Sequence, residues 1–136
     1  MEKRGRGSHL VGTFIECDVH RLLWRKGLTG LLSHFPHKID MRPIEGLGNN
    51  PILGYVENPN NPQDFGYSGI VVLYESHFAF HTWPYYAEID FDIFSCKEFD
   101  FNKALKILQY FFKGKLVNSS LIGRGNHKTK IDIIKG

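Results

Sequence analysis

Apolar residues recur along this chain at two spacings, and the switches between them predict its elements. Leu10 to Cys17 reads as a first strand. From Val19 to Phe35 the apolar positions fall at 24, 28, 31, 32 and 35, the three-and-four spacing of an amphipathic helix, although Gly27 and Gly30 weaken it. Lys38 to Ile44 alternates as a second strand would. Gly46 to Gly66 is crowded with Gly, Asn and Pro and predicts a loop of about twenty residues, a length typical of lids and binding loops, interrupted by a short strand at Ile52 to Val56. Ser68 to Glu75 is a β-branched run and Phe78 to Pro84 is rich in aromatics. Glu88 to Cys96 alternates cleanly, with Ile89, Phe91 and Ile93 on one face and Glu88, Asp90 and Asp92 on the other. Phe101 to Phe112 carries Ala104, Leu108, Phe111 and Phe112 on one helical stripe. Lys115 to Leu121 makes a further strand, and Ile131 to Ile134 pairs weakly behind a polar tail.

This order predicts one α+β domain over residues 1–136, with helices packed on one face of a mostly antiparallel sheet. Composition agrees, since 136 residues suffice for a core and 42% hydrophobic with 23% charged is a globular balance. No run approaches the roughly eighteen apolar residues of a membrane span, and the basic start Met1 to Gly7 leads into no signal-peptide core. The expectation is a cytoplasmic protein that engages neither membrane nor nucleic acid. The net charge of +3 is concentrated in Lys3 to Arg6 and Arg124 to Lys130, which read as solvated ends. Cys17 and Cys96 are too few for a disulfide framework and lack the paired spacing of a zinc site, and Cys17 reads as a core residue of the first strand. His77 and His81, four apart on a strand, are separated by about 13 Å and cannot share an ion, so no metal site is expected.

Three segments in order carry the chemistry: Ser68-Gly69-Ile70-Val71-Val72-Leu73-Tyr74-Glu75-Ser76-His77, His81-Thr82-Trp83-Pro84 and Asp92-Ile93-Phe94-Ser95-Cys96. Together they resemble the prokaryotic S-adenosylmethionine decarboxylases. His9-Leu10-Val11 and Phe14 to Asp18 are similar to the first strand of that family, and Asp100 to Leu108 and Arg124-Gly125 to its second helix and C-terminal segment. The resemblance implies a two-layer α+β sandwich, a homodimer with active sites near the interface, and a chain that cuts itself between Glu75 and Ser76 into residues 1–75 and 76–136.

Cleavage of that kind needs a hydroxyl to attack the preceding carbonyl, a stabilised oxyanion, and a base that removes the serine Cα proton. By the resemblance, Ser76 supplies the hydroxyl and becomes a pyruvoyl cofactor, and Glu75 supplies the carbonyl. His81, with a near-neutral pKa suited to proton abstraction, and Ser68 assist processing. The pyruvoyl group forms a Schiff base with a substrate amine and takes up the electrons left by departing CO2. Cys96 is the catalytic acid. The implied substrate is S-adenosylmethionine, decarboxylated to the aminopropyl donor for spermidine and other polyamines.

One departure bears on substrate. After His-Thr-Trp-Pro the family carries a ribose-binding glutamate, and here Tyr85 stands, which lacks a two-oxygen acceptor; Glu88 is three residues on and is expected to face the other way. Relatives that decarboxylate arginine or ornithine are the alternative. The other classes are a non-processing homologue and an RNA-recognition-like binding module, the latter disfavoured by the missing Lys/Arg-Gly-aromatic signature.

Overall fold

The alternation after Trp83 becomes a strand, Glu88–Ser95, in which Ile89, Phe91 and Ile93 are all buried. Around it, the computed structural model describes residues 5–125 and 128–134. The chain enters through β1 (Gly5–Ile15), passes two helices, α1 (Val19–Leu22) and α2 (Arg25–Lys38), and returns as β2 (Ile52–Asn58), β3 (Asn61–Leu73), β4 (Ser76–Trp83) and β5 (Glu88–Ser95). Helix α3 (Phe101–Phe112) then leads into β6 (Lys115–Gly125) and β7 (Lys128–Ile134). All neighbouring strands are antiparallel, in the order β2-β3-β4-β5-β1-β6-β7. The first strand therefore lies in the middle of the sheet and joins its two halves.

The helices share one face. Phe35 of α2 meets Phe78 at 4.8 Å between ring centroids, and Phe112 of α3 meets Phe80 at 6.4 Å, so both helices rest on the same side of β4. Leu10, Phe14, Val71, Phe91 and Ile93 complete that core. This is the α+β two-layer sandwich expected from the sequence. The opposite face, carrying Val11, Ile70, Val72, Ala79, Phe94 and Ile122, has no second layer among the described residues.

Several elements differ from the pattern reading. The single helix from Val19 to Phe35 is two helices broken at Leu23–Trp24, and the second runs through Pro36 to Lys38. Trp24 leaves the core stripe and folds back onto Gly27, where any side chain would collide with its ring, to stack on Phe111. The strand expected at Lys38 to Ile44 is absent. Ile39 and Met41 are buried at the end of α2, where a two-residue spacing fits a helix terminus as well as a strand, and only Pro43 bridges to Leu73.

The loop expected over Gly46 to Gly66 is largely a hairpin, with Tyr55 opposite Tyr67 and a turn after Asn58. The short strand expected at Ile52 to Val56 is the first strand of that hairpin; the start of the second, from Asn61, is exposed and carries little hydrophobic alternation, so the pattern missed it. β3 stops at Leu73, and Tyr74–Glu75 form the turn into β4. Cys17 lies just past β1, buried, with its thiol against the Phe14 carbonyl. β7 is a full partner of β6 rather than a weak one. Lys3 and Arg4 lie outside the described residues.

Candidate active site

Glu75 and Ser76 sit where the chain turns from β3 into β4, at one end of the sheet. Ser76 adopts φ +147°, in the positive region that favours glycine, a strain worth about 1–3 kcal/mol that the surroundings must hold. Those surroundings are specific. The Glu75 carbonyl accepts a 2.7 Å hydrogen bond from the backbone N–H of Cys96, and Ser76 pairs across the ladder with Ser95. The Glu75 carboxylate is nearly buried and accepts from the Arg42 backbone N–H at 3.0 Å, with Arg42 Nε at 3.9 Å and Lys97 Nζ at 4.0 Å. Gly7 of β1, at φ +107°, presses against Ser95 and Cys96 so closely that any side chain there would strike their backbone. The end of β5 is thereby fixed, and with it the Cys96 N–H. Cys96 itself is exposed.

Ser68 and His81 form a second group. They are direct cross-strand partners, with Ser68 Oγ 2.6 Å from His81 Nδ1. The His81 ring stands 4.2 Å from that of Trp83, whose Nε1 donates to Asp90 Oδ2 at 3.0 Å. Burial lowers the His81 pKa below its ordinary value, only partly offset by the negative charges of Asp64 and Asp90, so the ring stays neutral near pH 7. Its Nε2 is buried and has no hydrogen-bond partner among the described residues.

The two groups are not together in one chain. Five residues of β4 separate Ser76 from His81, about 17 Å at roughly 3.4 Å per residue. Ser76, Glu75 and Cys96 meet at one end of the sheet; Ser68 and His81 meet farther along it.

The rest of the His-Thr-Trp-Pro motif divides by side. Thr82 is fully buried, accepting from the Tyr67 N–H at 2.9 Å and donating to the Leu22 carbonyl at 3.1 Å. Tyr85 lies in a 3-10 turn, Pro84–Tyr86, which breaks the strand count. The expectation that Glu88 faces away by parity therefore does not apply: Glu88 is paired directly with Trp83. The Tyr85 hydroxyl accepts from Gln63 Nε2 at 3.3 Å and the Tyr86 hydroxyl donates to Gln63 Oε1 at 3.3 Å, tying this turn to the β2–β3 hairpin.

The pattern reading missed the Cys96 N–H, a backbone group with no residue signature, and the Arg42–Lys97 clamp on Glu75. It also missed a cluster in which His9 Nε2 and His77 Nε2 approach one oxygen, Asp92 Oδ2, at 3.0 and 2.7 Å. Strand alternation put Asp92 on the face away from Ile89, Phe91 and Ile93, but the placement of β4 and β1 on either side of β5 is long-range information.

Comparison with known proteins bears on the family of the chain. A family model described as S-adenosylmethionine decarboxylase matches residues 8–125. The chain is 41% identical to an S-adenosylmethionine decarboxylase proenzyme of Thermotoga maritima, over 89% of this chain and 85% of that protein. A proenzyme of the same name from Clostridium botulinum (strain Langeland) is 30% identical over 88% of this chain and 94% of its own length. One from Archaeoglobus fulgidus is 36% identical over 54% of this chain, a match spanning 64% of that protein. With most of its length matched and its sheet ending in a strained serine turn, the chain belongs to the S-adenosylmethionine decarboxylase family, pyruvoyl-dependent carboxy-lyases whose cofactor forms from a serine by autocatalytic cleavage.

Proposed function

We propose that residues 1–136 act as one proenzyme domain that cleaves itself between Glu75 and Ser76, and that the Ser76-derived pyruvoyl group serves a cytoplasmic decarboxylase acting on S-adenosylmethionine. The observation that carries this reading is the Glu75 carbonyl, held by the Cys96 N–H at 2.7 Å directly before a serine at φ +147°. A hydrogen bond to that oxygen withdraws electrons from the carbon Ser76 must attack and stabilises the oxyanion that follows. Attack moves the Glu75 acyl group from the Ser76 nitrogen to its oxygen. Loss of the Ser76 Cα proton then expels Glu75 through its main-chain carboxylate, the new C-terminus of residues 1–75, and water replaces the freed nitrogen, which leaves as ammonia. The strained backbone relaxes once the peptide bond is cut.

The pyruvoyl group supplies an electron sink for the carboxylate-bearing carbon of an amine substrate. The remaining work falls to the chain. Cys96, exposed at the end of β5 beside Ser76, is placed to return a proton after CO2 leaves. His81, kept neutral by burial and hydrogen-bonded to Ser68, is suited to take one.

His81 stands about 17 Å from Ser76 in its own chain, beyond reach of direct proton transfer. We therefore propose a homodimer in which the uncovered sheet faces meet and the Ser68–His81 pair of one chain serves the Ser76 of the other. The partly exposed Ile70 and Val72 on that face support this arrangement.

The test is the denatured mass of freshly purified protein, followed by decarboxylation assays on S-adenosylmethionine, arginine and ornithine. Two fragments divided at Glu75/Ser76, the second carrying a pyruvoyl terminus, with turnover of S-adenosylmethionine, are the expected result. A chain that stays whole on incubation refutes self-processing. Clean cleavage with turnover of only arginine or ornithine refutes the substrate.

A further inference from the structure

The cluster at His9, His77 and Asp92 has no part in the chemistry above. We propose that it binds one divalent transition-metal ion of the zinc, cobalt or ferrous kind.

Sheet order builds the cluster. β5 runs between β4 and β1, and His77 and His9 both pair with Phe94 from opposite sides. Asp92 lies two residues along β5 on the same uncovered face. The three ligand atoms all fall within 4.8 Å of one another. For metal bonds of about 2.0–2.1 Å, donors at right angles stand about 2.9 Å apart and tetrahedral donors about 3.3 Å. The observed 3.0 and 2.7 Å separations from Asp92 Oδ2 lie within a few tenths of an ångström of the first value. Rotations that bring the two imidazole nitrogens, within 4.8 Å of each other, to about 3 Å convert the hydrogen-bonded cluster into a chelate.

Donor chemistry selects the ion. Two imidazole nitrogens and one carboxylate oxygen suit zinc and its first-row neighbours; magnesium and calcium prefer oxygen donors throughout. Without a metal, two imidazoles must each turn an N–H toward one carboxylate oxygen. A cation placed between the three donors satisfies both nitrogens and the oxygen at once. The rings are already held, since Phe94 lies 5.4 Å from the His9 ring and 6.0 Å from that of His77. The nearby Arg124 guanidinium sits over Phe94, 5.5 Å from its centroid, rather than on Asp92. In the single chain about a quarter to a third of each side chain is exposed (27% for His9, 32% for His77 and Asp92), so an ion can reach the three donors.

The inference does not rest on self-processing, and its test keeps the two apart. Chelator-treated full-length Ser76→Ala chain, which cannot process, and the unmutated chain are titrated with Zn(II) by calorimetry and with Co(II) by visible absorption. One equivalent per chain is expected in both, with the ligand-field bands of a nitrogen-bound ion. Binding should weaken at least tenfold in His9→Ala and in Asp92→Asn, while His34→Ala and Cys96→Ser bind as before. Asp92→Asn keeps the side-chain shape, and circular dichroism checks that each variant is folded. No stoichiometric binding overturns the proposal. So does full affinity in both cluster variants, or binding lost in Cys96→Ser alone.

Discussion

Glu75 and Cys96 are joined through their backbones, the carbonyl of one accepting the N–H of the other at 2.7 Å, although twenty residues of sequence lie between them. The bond separates two properties of Cys96. Its amide serves the Glu75 carbonyl, and its thiol is free for a later step. Cys96→Ala keeps the amide and should still cleave, yet lose about 10²- to 10⁴-fold in decarboxylation, the usual worth of a positioned acid. Cys96→Pro deletes the N–H and should slow cleavage about 10²- to 10³-fold, as loss of an oxyanion donor does. Ser76→Ala should remain whole and inactive. The time course of fragment appearance on denaturing gels decides; equal cleavage in the alanine and proline variants would remove the amide from the mechanism.

The distance between Ser76 and His81 predicts complementation. A His81→Ala chain retains Ser76 but lacks the histidine for its partner's site. A Ser76→Ala chain retains the histidine but cannot be cut. Each alone should stay whole, and mixing the two after co-refolding should cleave the His81→Ala chain in the mixed dimers. The products are distinguished by mass. Cleavage of His81→Ala alone at the normal rate would show that His81 takes no part.

Most of the sheet was legible because its strands obey the two rules that sequence encodes locally. Ile89, Phe91 and Ile93 alternate, and Ala104 and Leu108 of α3 recur at helical spacing, so those elements were read with their true partners in the core. Ile52 to Val56 was legible as a short strand, but its hairpin with β3 was not, because β3 begins at Asn61 with exposed residues that do not alternate and pairs back on Ile52–Asn58. Ile39 and Met41 misled for the opposite reason, being two apart and both buried but at a helix end. Ser76, Ser68, His81 and Cys96 were legible as a motif. Their division into two groups was not, since it follows from register: Ser68 opposite His81, and Ser76 opposite Ser95.

Burial of His81 sets a pH dependence. Desolvation lowers its pKa from 6.5, with Asp64 and Asp90 opposing, so the folded chain binds a proton less readily there than the unfolded chain. Between the lowered value and 6.5 the unfolded state carries more protons, and stability rises with pH. This contribution is complete above 6.5 and is lost as pH falls through the folded value. The acid limb of the cleavage rate should accordingly lie below pH 6.5. Asp64→Asn removes a charge that favours the imidazolium and should move that limb lower still. A limb at or above the ordinary value would contradict the desolvated ring.

The two thiols should differ sharply in reactivity. Burial pushes the Cys17 pKa up to about 12, with the nearby Glu88 charge adding to it, whereas Cys96 is exposed. A thiol attacks as its thiolate. Native protein treated with iodoacetamide at pH 8 should therefore gain one adduct, at Cys96, and denatured protein two. Equal labelling of both in the native state would mean that the end of β1 opens readily.

Thr82 separates structure from chemistry within one motif. Its neighbours His81 and Trp83 face the open side of the sheet, while its own hydroxyl is fully buried between the Tyr67 N–H and the Leu22 carbonyl. Valine has nearly the same shape and cannot make either bond. Thr82→Val leaves two backbone groups without their partner, at about 1–3 kcal/mol for such a loss. The variant should unfold at lower urea with an unchanged slope, because the core volume is kept. At temperatures where it stays folded, its cleavage rate should match that of the unmutated chain. A drop in cleavage without a drop in stability would assign Thr82 to the reaction rather than to the bond between α1 and the sheet.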